Sequence, residues 1–242
     1  MYIRTDTPRT FKRKERTKIK DKLQRYKNFV SFLSDVVGDE AEIILHDVRD
    51  LEHSVIAISG TTLTGRRIGS PATRLLLKQL KEGKQSRRSF ITNYEGRSND
   101  GTVLRSSTYF IYDEHDEIIG MLCINISFRK MEEAIQYLGG FVGINWPAGI
   151  DLESPVEHFS PSIEDIAISS IKEIVSSVDV PSERMSQQEK LLVVHQLNNN
   201  GIFLLKGIVG IVAQELKTSE ATIYRYLSKM KKNELKISFE TP

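Results

Sequence analysis

Cysteine is almost absent from this 242-residue chain. Cys123 stands alone, so no internal disulfide forms, and no cluster of thiols and imidazoles marks a zinc site. Long apolar runs are missing as well. A run such as Ile118 to Ile124 is far short of the ~20 residues a membrane-spanning helix needs. The basic N-terminus has no apolar stretch behind it, so no secretory signal peptide is expected. With 39% hydrophobic and 27% charged residues, the composition excludes a fully disordered or fibrous chain. A soluble, cytoplasmic protein is expected.

The net charge of +2 hides an uneven distribution. Residues 1–22 hold nine Lys/Arg against three Asp/Glu, and residues 151–185 hold two against eight. The last segment, 186–242, is basic again, with eight against five. Cationic ends around an acidic middle suit a nucleic-acid partner, because Lys and Arg displace counterions condensed on phosphates.

Residues 1–22 have no persistent apolar period and are expected to form a mobile arm leading into a helix. From Arg25 the spacing of Tyr26, Phe29, Val30, Leu33, Val36 and Val37 predicts a helix that stops at Gly38. Runs rich in Ile, Val, Tyr and Phe then predict strands at 41–48, 54–60, 89–94, 107–113 and 118–127. Asp113–Glu117 reads as a hairpin tip, and Pro71 opens a helix that ends at Gly83. This order predicts an α+β fold, an antiparallel sheet with helices on one face. A further helix is expected at 129–138, closed by Gly139-Gly140. Prolines 147, 155 and 161 then punctuate an acidic linker. Ser162–Asp165 and Ser186–Glu189 both read as capping boxes, and Ile163, Ile166, Ala167, Ile171, Ile174 and Val178 form one apolar helix face. The domains expected are an arm at 1–22, a sensor at 23–130, a helical acidic connector at 131–185 and an all-α unit at 186–242.

The final segment has the most specific pattern. Apolar residues recur at i, i+3, i+4 and i+7 through Val209–Leu216. A short turn follows, and Ile223, Tyr226, Leu227 and Met230 then share one side of a second helix. Ser219 is placed to cap it. Such a pair predicts a helix-turn-helix whose second helix enters the major groove of double-stranded DNA. On its outer face Ser219, Thr222 and Tyr224 can donate hydrogen bonds, and Arg225 is the candidate for a guanine edge. Ser228 and Lys229 are expected on the DNA backbone. The turn often holds Gly for its left-handed backbone, where this chain has Lys217.

Several stretches resemble the YheO-like regulators, bacterial proteins with an N-terminal PAS-like domain and a C-terminal helix-turn-helix. They are Ile44–Asp47, Thr64–Pro71, Leu104–Thr108, Ile118–Asn125 and Lys206–Leu227, collinear over about residues 25–232. Members often carry an acidic residue two positions after the Asn that closes the LCIN motif, where this chain has Ser127. The resemblance implies a PAS-like antiparallel sheet with flanking helices, and a transcription regulator in the cytoplasm.

Candidate residues for a small polar ligand, anionic or amino-acid-like, are His46, Asp47, Arg67, Ser106, Ser107, Thr108 and Asn125. His46 and Asp47 are adjacent in a strand and point to opposite faces, which argues against an acid/base pair. Alternation sets Asn125 with Cys123 and Met121, opposite Leu122, Ile124 and Ile126, and leaves open which face is the pocket. Gly65–Gly69 matches neither phosphate-binding fingerprint. No residue is assigned to catalysis or to a metal, and no cofactor is expected. The reading is a DNA-binding regulator, homodimeric or of higher order, whose sensor domain binds a metabolite. Its rivals are an enzyme that processes a small molecule on the α+β domain, and a protein-binding adaptor.

Overall fold

The computed structural model describes residues 13–83, 88–98, 100–143, 157–159, 162–178 and 180–239. The chain divides into two compact units, each discontinuous in sequence. One groups Phe11–Ala72 with Lys84–Pro161, the other Thr73–Gly83 with Ser162–Pro242.

The first unit is built on a sheet of strands β1 (Ala41–Asp47), β2 (Val55–Gly60), β3 (Phe90–Arg97), β4 (Val103–Tyr112), β5 (Ile118–Ser127) and the two-residue β6 (Glu157–His158). Their spatial order is β2-β1-β5-β4-β3-β6, antiparallel except for the β3–β6 pair. The five longer strands are those the β-branched and aromatic runs predict. The β4–β5 hairpin turns at the expected tip, where Asp113 Oδ1 accepts from the backbone N–H groups of His115 and Glu117. Helix α1 (Arg13–Val37) covers one sheet face. Its Leu23 and Val30 pack into a core with Ala41, Ile43, Leu45 and Leu122.

Helix α1 begins at Arg13, well before the first apolar residue of its predicted period. The expected mobile arm is therefore helical from residue 13 onward, in a segment rich in Lys, Arg and Glu, which favour helix without needing a core face. Residues 1–12 lie outside the described residues. Helix α3 (Arg129–Val142) also outruns its prediction. It passes through Gly139 and Gly140 and stops at Gly143, which adopts the left-handed conformation.

In the second unit, α2 (Arg74–Glu82) joins α4 (Ile163–Ser176), α5 (Gln187–Asn199), α6 (Ile208–Glu215) and α7 (Glu220–Phe239). The grouping departs from the expected boundaries at 130 and 185, since α2 was expected in the sensor and α4 in a connector. Leu76 and Leu77 of α2 are fully buried, and α2 packs on α5 and on the 3-10 turn Ile202–Leu204. Gly201 permits that packing: its φ is +73°, and a Cβ there would lie 2.3 Å from the Leu77 carbonyl oxygen. Ile166, Ala167, Ile171 and Ile174 of α4 are buried too, so most of the predicted apolar face is covered within the unit. The Ser186–Glu189 capping box is present in full. At Ser162 the hydroxyl caps the Asp165 N–H, while the Asp165 carboxylate accepts from that hydroxyl instead of from the cap backbone.

The α6–α7 turn is a Schellman closure. Thr218 N–H donates to the Ala213 carbonyl at 2.9 Å and Lys217 N–H to Gln214 at 3.2 Å, with Lys217 at φ +48°. A lysine here carries a left-handed backbone that glycine adopts freely. Lys217→Gly is expected to raise stability by about 0.5–1 kcal/mol, the relief of a ~1–2 kcal/mol conformational strain less the added chain entropy. Urea unfolding checks this; a loss of stability would show that the strain is absent.

Candidate functional site

The sheet face turned away from α1 is buried and polar. Alternation along β1 sends Glu42, Ile44 and His46 to this side, and the register brings Asn125, Cys123 and Met121 of β5 opposite them. Ser106, Thr108 and Phe110 of β4 follow, then Tyr94 of β3. Two connected groups of hydrogen bonds result. Ser106 Oγ donates to Asn125 Oδ1 at 2.8 Å, and Asn125 Nδ2 donates to Glu42 Oε2 at 3.3 Å. Glu42 also accepts from the backbone N–H groups of Leu63 and Thr64 and, at 2.6 Å, from the Thr64 hydroxyl. Further along, Thr108 Oγ1 lies 2.9 Å from Tyr94 Oη and 3.3 Å from Cys123 Sγ. Gly96 keeps the edge of this face tight, since a Cβ would stand 2.4 Å from Ser106 Oγ and 2.7 Å from the Phe159 ring.

Four of the seven candidate ligand residues meet here: His46, Ser106, Thr108 and Asn125. The other three stand elsewhere, for reasons of local geometry. Asp47 and Ser107 follow and precede residues of the polar face by one position, so strand alternation turns them away. Asp47 pairs with Arg49, whose Nε donates at 2.8 and 2.9 Å, and Ser107 Oγ accepts from Asn93 N–H. His46 and Asp47 thus do not form a dyad. Arg67 is exposed, while its neighbour Arg66 is only 4% exposed, with Nη2 donating to the Pro71 carbonyl. The sequence reading missed Glu42, Thr64 and Tyr94. For Glu42 the signal was present: it is i−4 from His46 in the same alternating strand.

His46 is completely buried. Its Nδ1 lies 2.7 Å from Ser54 Oγ, beside a bulge in the β1–β2 pairing, and its Nε2 has no hydrogen-bond partner among the described residues. Burial first, and then the charge of Arg66, hold the imidazole well below its ordinary value of 6.5, so the folded protein keeps it neutral. The unfolded chain takes up that proton as the pH falls through 6.5, and the folded one does not. This stabilising contribution is therefore complete above pH 6.5 and falls below it by about 1.4 kcal/mol per pH unit until the lowered value is reached. Urea unfolding at pH 7.5 and 5.5 is expected to show that loss, and His46→Gln to reduce it. A wild-type slope unchanged in His46→Gln would assign the loss to other groups.

In the helix-turn-helix, Ser219 caps α7 as its position predicts. Ser219 Oγ accepts from Thr222 N–H at 3.2 Å, and Ile223, Tyr226 and Met230 are buried. Tyr224, Arg225 and Lys229 are exposed, while Thr222 and Ser228 are half-buried. The Arg225 guanidinium stands 5.9 Å from the Tyr226 ring centroid, on the open side of α7.

A family model described as a YheO-like PAS domain matches residues 17–143, and one described as an HTH domain matches 168–228. The chain belongs to the YheO-like family. It is 31% identical over 211 residues to the uncharacterized protein YheO of Escherichia coli K12, covering 87% of this chain and 85% of that one. An uncharacterized protein of Haemophilus influenzae is 29% identical over 212 residues, covering 88% and 92%. The transcriptional regulator DauR of Pseudomonas aeruginosa is 24% identical over 209 residues, covering 86% and 94%. With a PAS domain ahead of a helix-turn-helix, this YheO-like chain is a DNA-binding transcriptional regulator. Among the described residues no helix is long and apolar enough to cross a membrane.

Proposed function

We propose that this YheO-like regulator binds a small polar metabolite on the buried sheet face and that occupancy changes its hold on DNA. The carrying observation is the polar face itself. Glu42, His46, Ser106, Thr108 and Asn125 are all buried there, where apolar side chains of similar volume would fill a core at lower desolvation cost. Coupling requires that the ligand prefer one of two conformations of the chain. The route is covalent: residues 61–72, which Glu42 and Arg66 tie down, run directly into α2, and α2 belongs to the DNA-binding unit. On DNA, Ser219, Thr222, Tyr224 and Arg225 face the groove, and Ser228 and Lys229 meet the backbone. The site of action is the cytoplasm.

The DNA-binding form is a homodimer, which doubles a small reading surface on a pseudo-palindromic site. The apolar face of α4 is largely spent within its own unit. That of α1 keeps Phe29, Phe32 and Val36 exposed. Helix α3 adds Met131, Ile135, Leu138 and Val142, exposed at the 4-3-4 spacing that packs against a second helix of the same repeat. Light scattering on the full chain is expected to give twice the chain mass, and Leu138→Glu to lower it; a monomer in the presence of DNA would overturn the dimer. Native mass spectrometry of the purified chain, with genome-wide mapping of its crosslinked sites, tests the rest. A co-purified small molecule and enrichment at discrete sites are expected, and no enrichment would favour a protein-docking role.

A further inference from the structure

The orphaned nitrogen of His46 carries information about the ligand, and the inference drawn from it rests on the metabolite-sensing reading above. His46 Nδ1 lies 2.7 Å from Ser54 Oγ, with the hydroxyl taken as the donor of that hydrogen bond. A neutral imidazole that accepts at Nδ1 carries its proton on Nε2. Nε2–H is thus a fully buried donor with no acceptor among the described residues, an arrangement that costs about 1–3 kcal/mol unless something fills it. A ligand that fills it presents an acceptor.

The charge acting on His46 is that of Arg66, a buried guanidinium on the segment beside the same face. That field favours an anion over a neutral acceptor and opposes a cation. Glu42 acts more weakly there, since it stands four residues from His46 on β1, about 13 Å at ~3.3 Å per residue, with its carboxylate turned to Leu63, Thr64 and Asn125. Next to His46 on the face are apolar side chains: Ile44 two residues back, Met121 in register with it, and Phe110 beyond. A polar head at Nε2 and an apolar body over these three define the ligand.

We propose that the buried face of the PAS domain binds a small monocarboxylate, one oxygen accepting from His46 Nε2–H in the field of Arg66 and a short apolar body lying against Ile44, Met121 and Phe110. Arg67, the cation expected from sequence to take such a group, is exposed. Asn125, Ser106 and Thr108 then serve to fix the strands around the site, since their hydrogen bonds are made within the protein.

The test uses the full chain labelled with 15N-histidine, with the imidazole signals of His46 assigned by their loss in His46→Gln. Sodium butyrate, sodium pyruvate, butyramide and butylammonium chloride are titrated against matched sodium chloride. Three of these four share a tail and differ only in the head group. The expected result is a saturable shift of the His46 Nε2 signal with one or both carboxylates and a rise in Tm. The amide and the amine should bind at least tenfold more weakly. His46→Phe should lose at least tenfold in affinity, with the exposed His115→Gln as control; the wild-type titration stands alone if His46→Phe does not fold. Amide or amine binding as tight as the carboxylates' would overturn the anionic class and leave sensing intact. So would silence from all four probes together with a co-purified molecule of another class. Silence together with no co-purified molecule would overturn both this proposal and the sensing reading.

Discussion

Replacing Glu42 with leucine is expected to lower the unfolding free energy by about 3–5 kcal/mol, since each buried donor left unpaired costs on the order of 1–3 kcal/mol before relaxation. The donors are specific: the backbone N–H groups of Leu63 and Thr64, the Thr64 hydroxyl and the Asn125 amide. None regains a partner from leucine. Glu42→Gln separates hydrogen bonding from charge. Its carbonyl oxygen can still serve Leu63 and Thr64, while its NH2 group faces the NH2 of Asn125, donor against donor. A loss of about 1–2 kcal/mol is expected for that variant, between wild type and leucine. Urea unfolding at pH 7.5 measures both. The carboxylate would not be the clamp described if leucine stayed within 1 kcal/mol of wild type.

On DNA, Arg225→Ala and Lys229→Ala are expected to fail in different ways. Arg225 projects from the exposed side of α7, six residues after the Ser219 cap, and is proposed to read a guanine edge. Its loss should cost about 1–3 kcal/mol on the specific duplex and relax the preference at one base pair. Lys229 lies one turn further along and is proposed to meet a phosphate. Its loss should weaken specific and scrambled duplexes alike and lower the salt slope by about one unit. Titrations of both variants on both duplexes across a salt series give the comparison. Wild-type binding by both would mean that this face of α7 does not contact DNA.

Much of the fold was legible because it rests on short-range regularities. The Ile-, Val- and Tyr-rich runs are the five longer strands, and Ser186–Glu189 is a capping box. The buried set Ile223, Tyr226 and Met230 follows from a helical period read on one segment. Where the reading failed, a local rule met a neighbour it did not include. Lys, Arg and Glu carried α1 back to Arg13 without an apolar face. The glycines at 139 and 140 did not end α3, because a helix tolerates glycine at about 1 kcal/mol each and stops where the backbone turns left-handed, at Gly143.

The sequence by itself determined which residues share a face. A strand period of two places Asn125 with Cys123 and Met121, and parts His46 from Asp47, whatever lies around the sheet. Only the tertiary structure decided what each face meets. Leu23 and Val30 of α1 claimed the side of Ala41, Ile43 and Leu45, which left Glu42, His46 and Asn125 to the other. Docking of residues 61–72 chose Arg66 over Arg67 for the interior, and packing on α5 drew α2 into the DNA-binding unit. The physical reason is common to all three. Periodicity is a property of neighbours along the chain, whereas burial is settled between segments far apart in sequence, where apolar area and polar satisfaction are decided together.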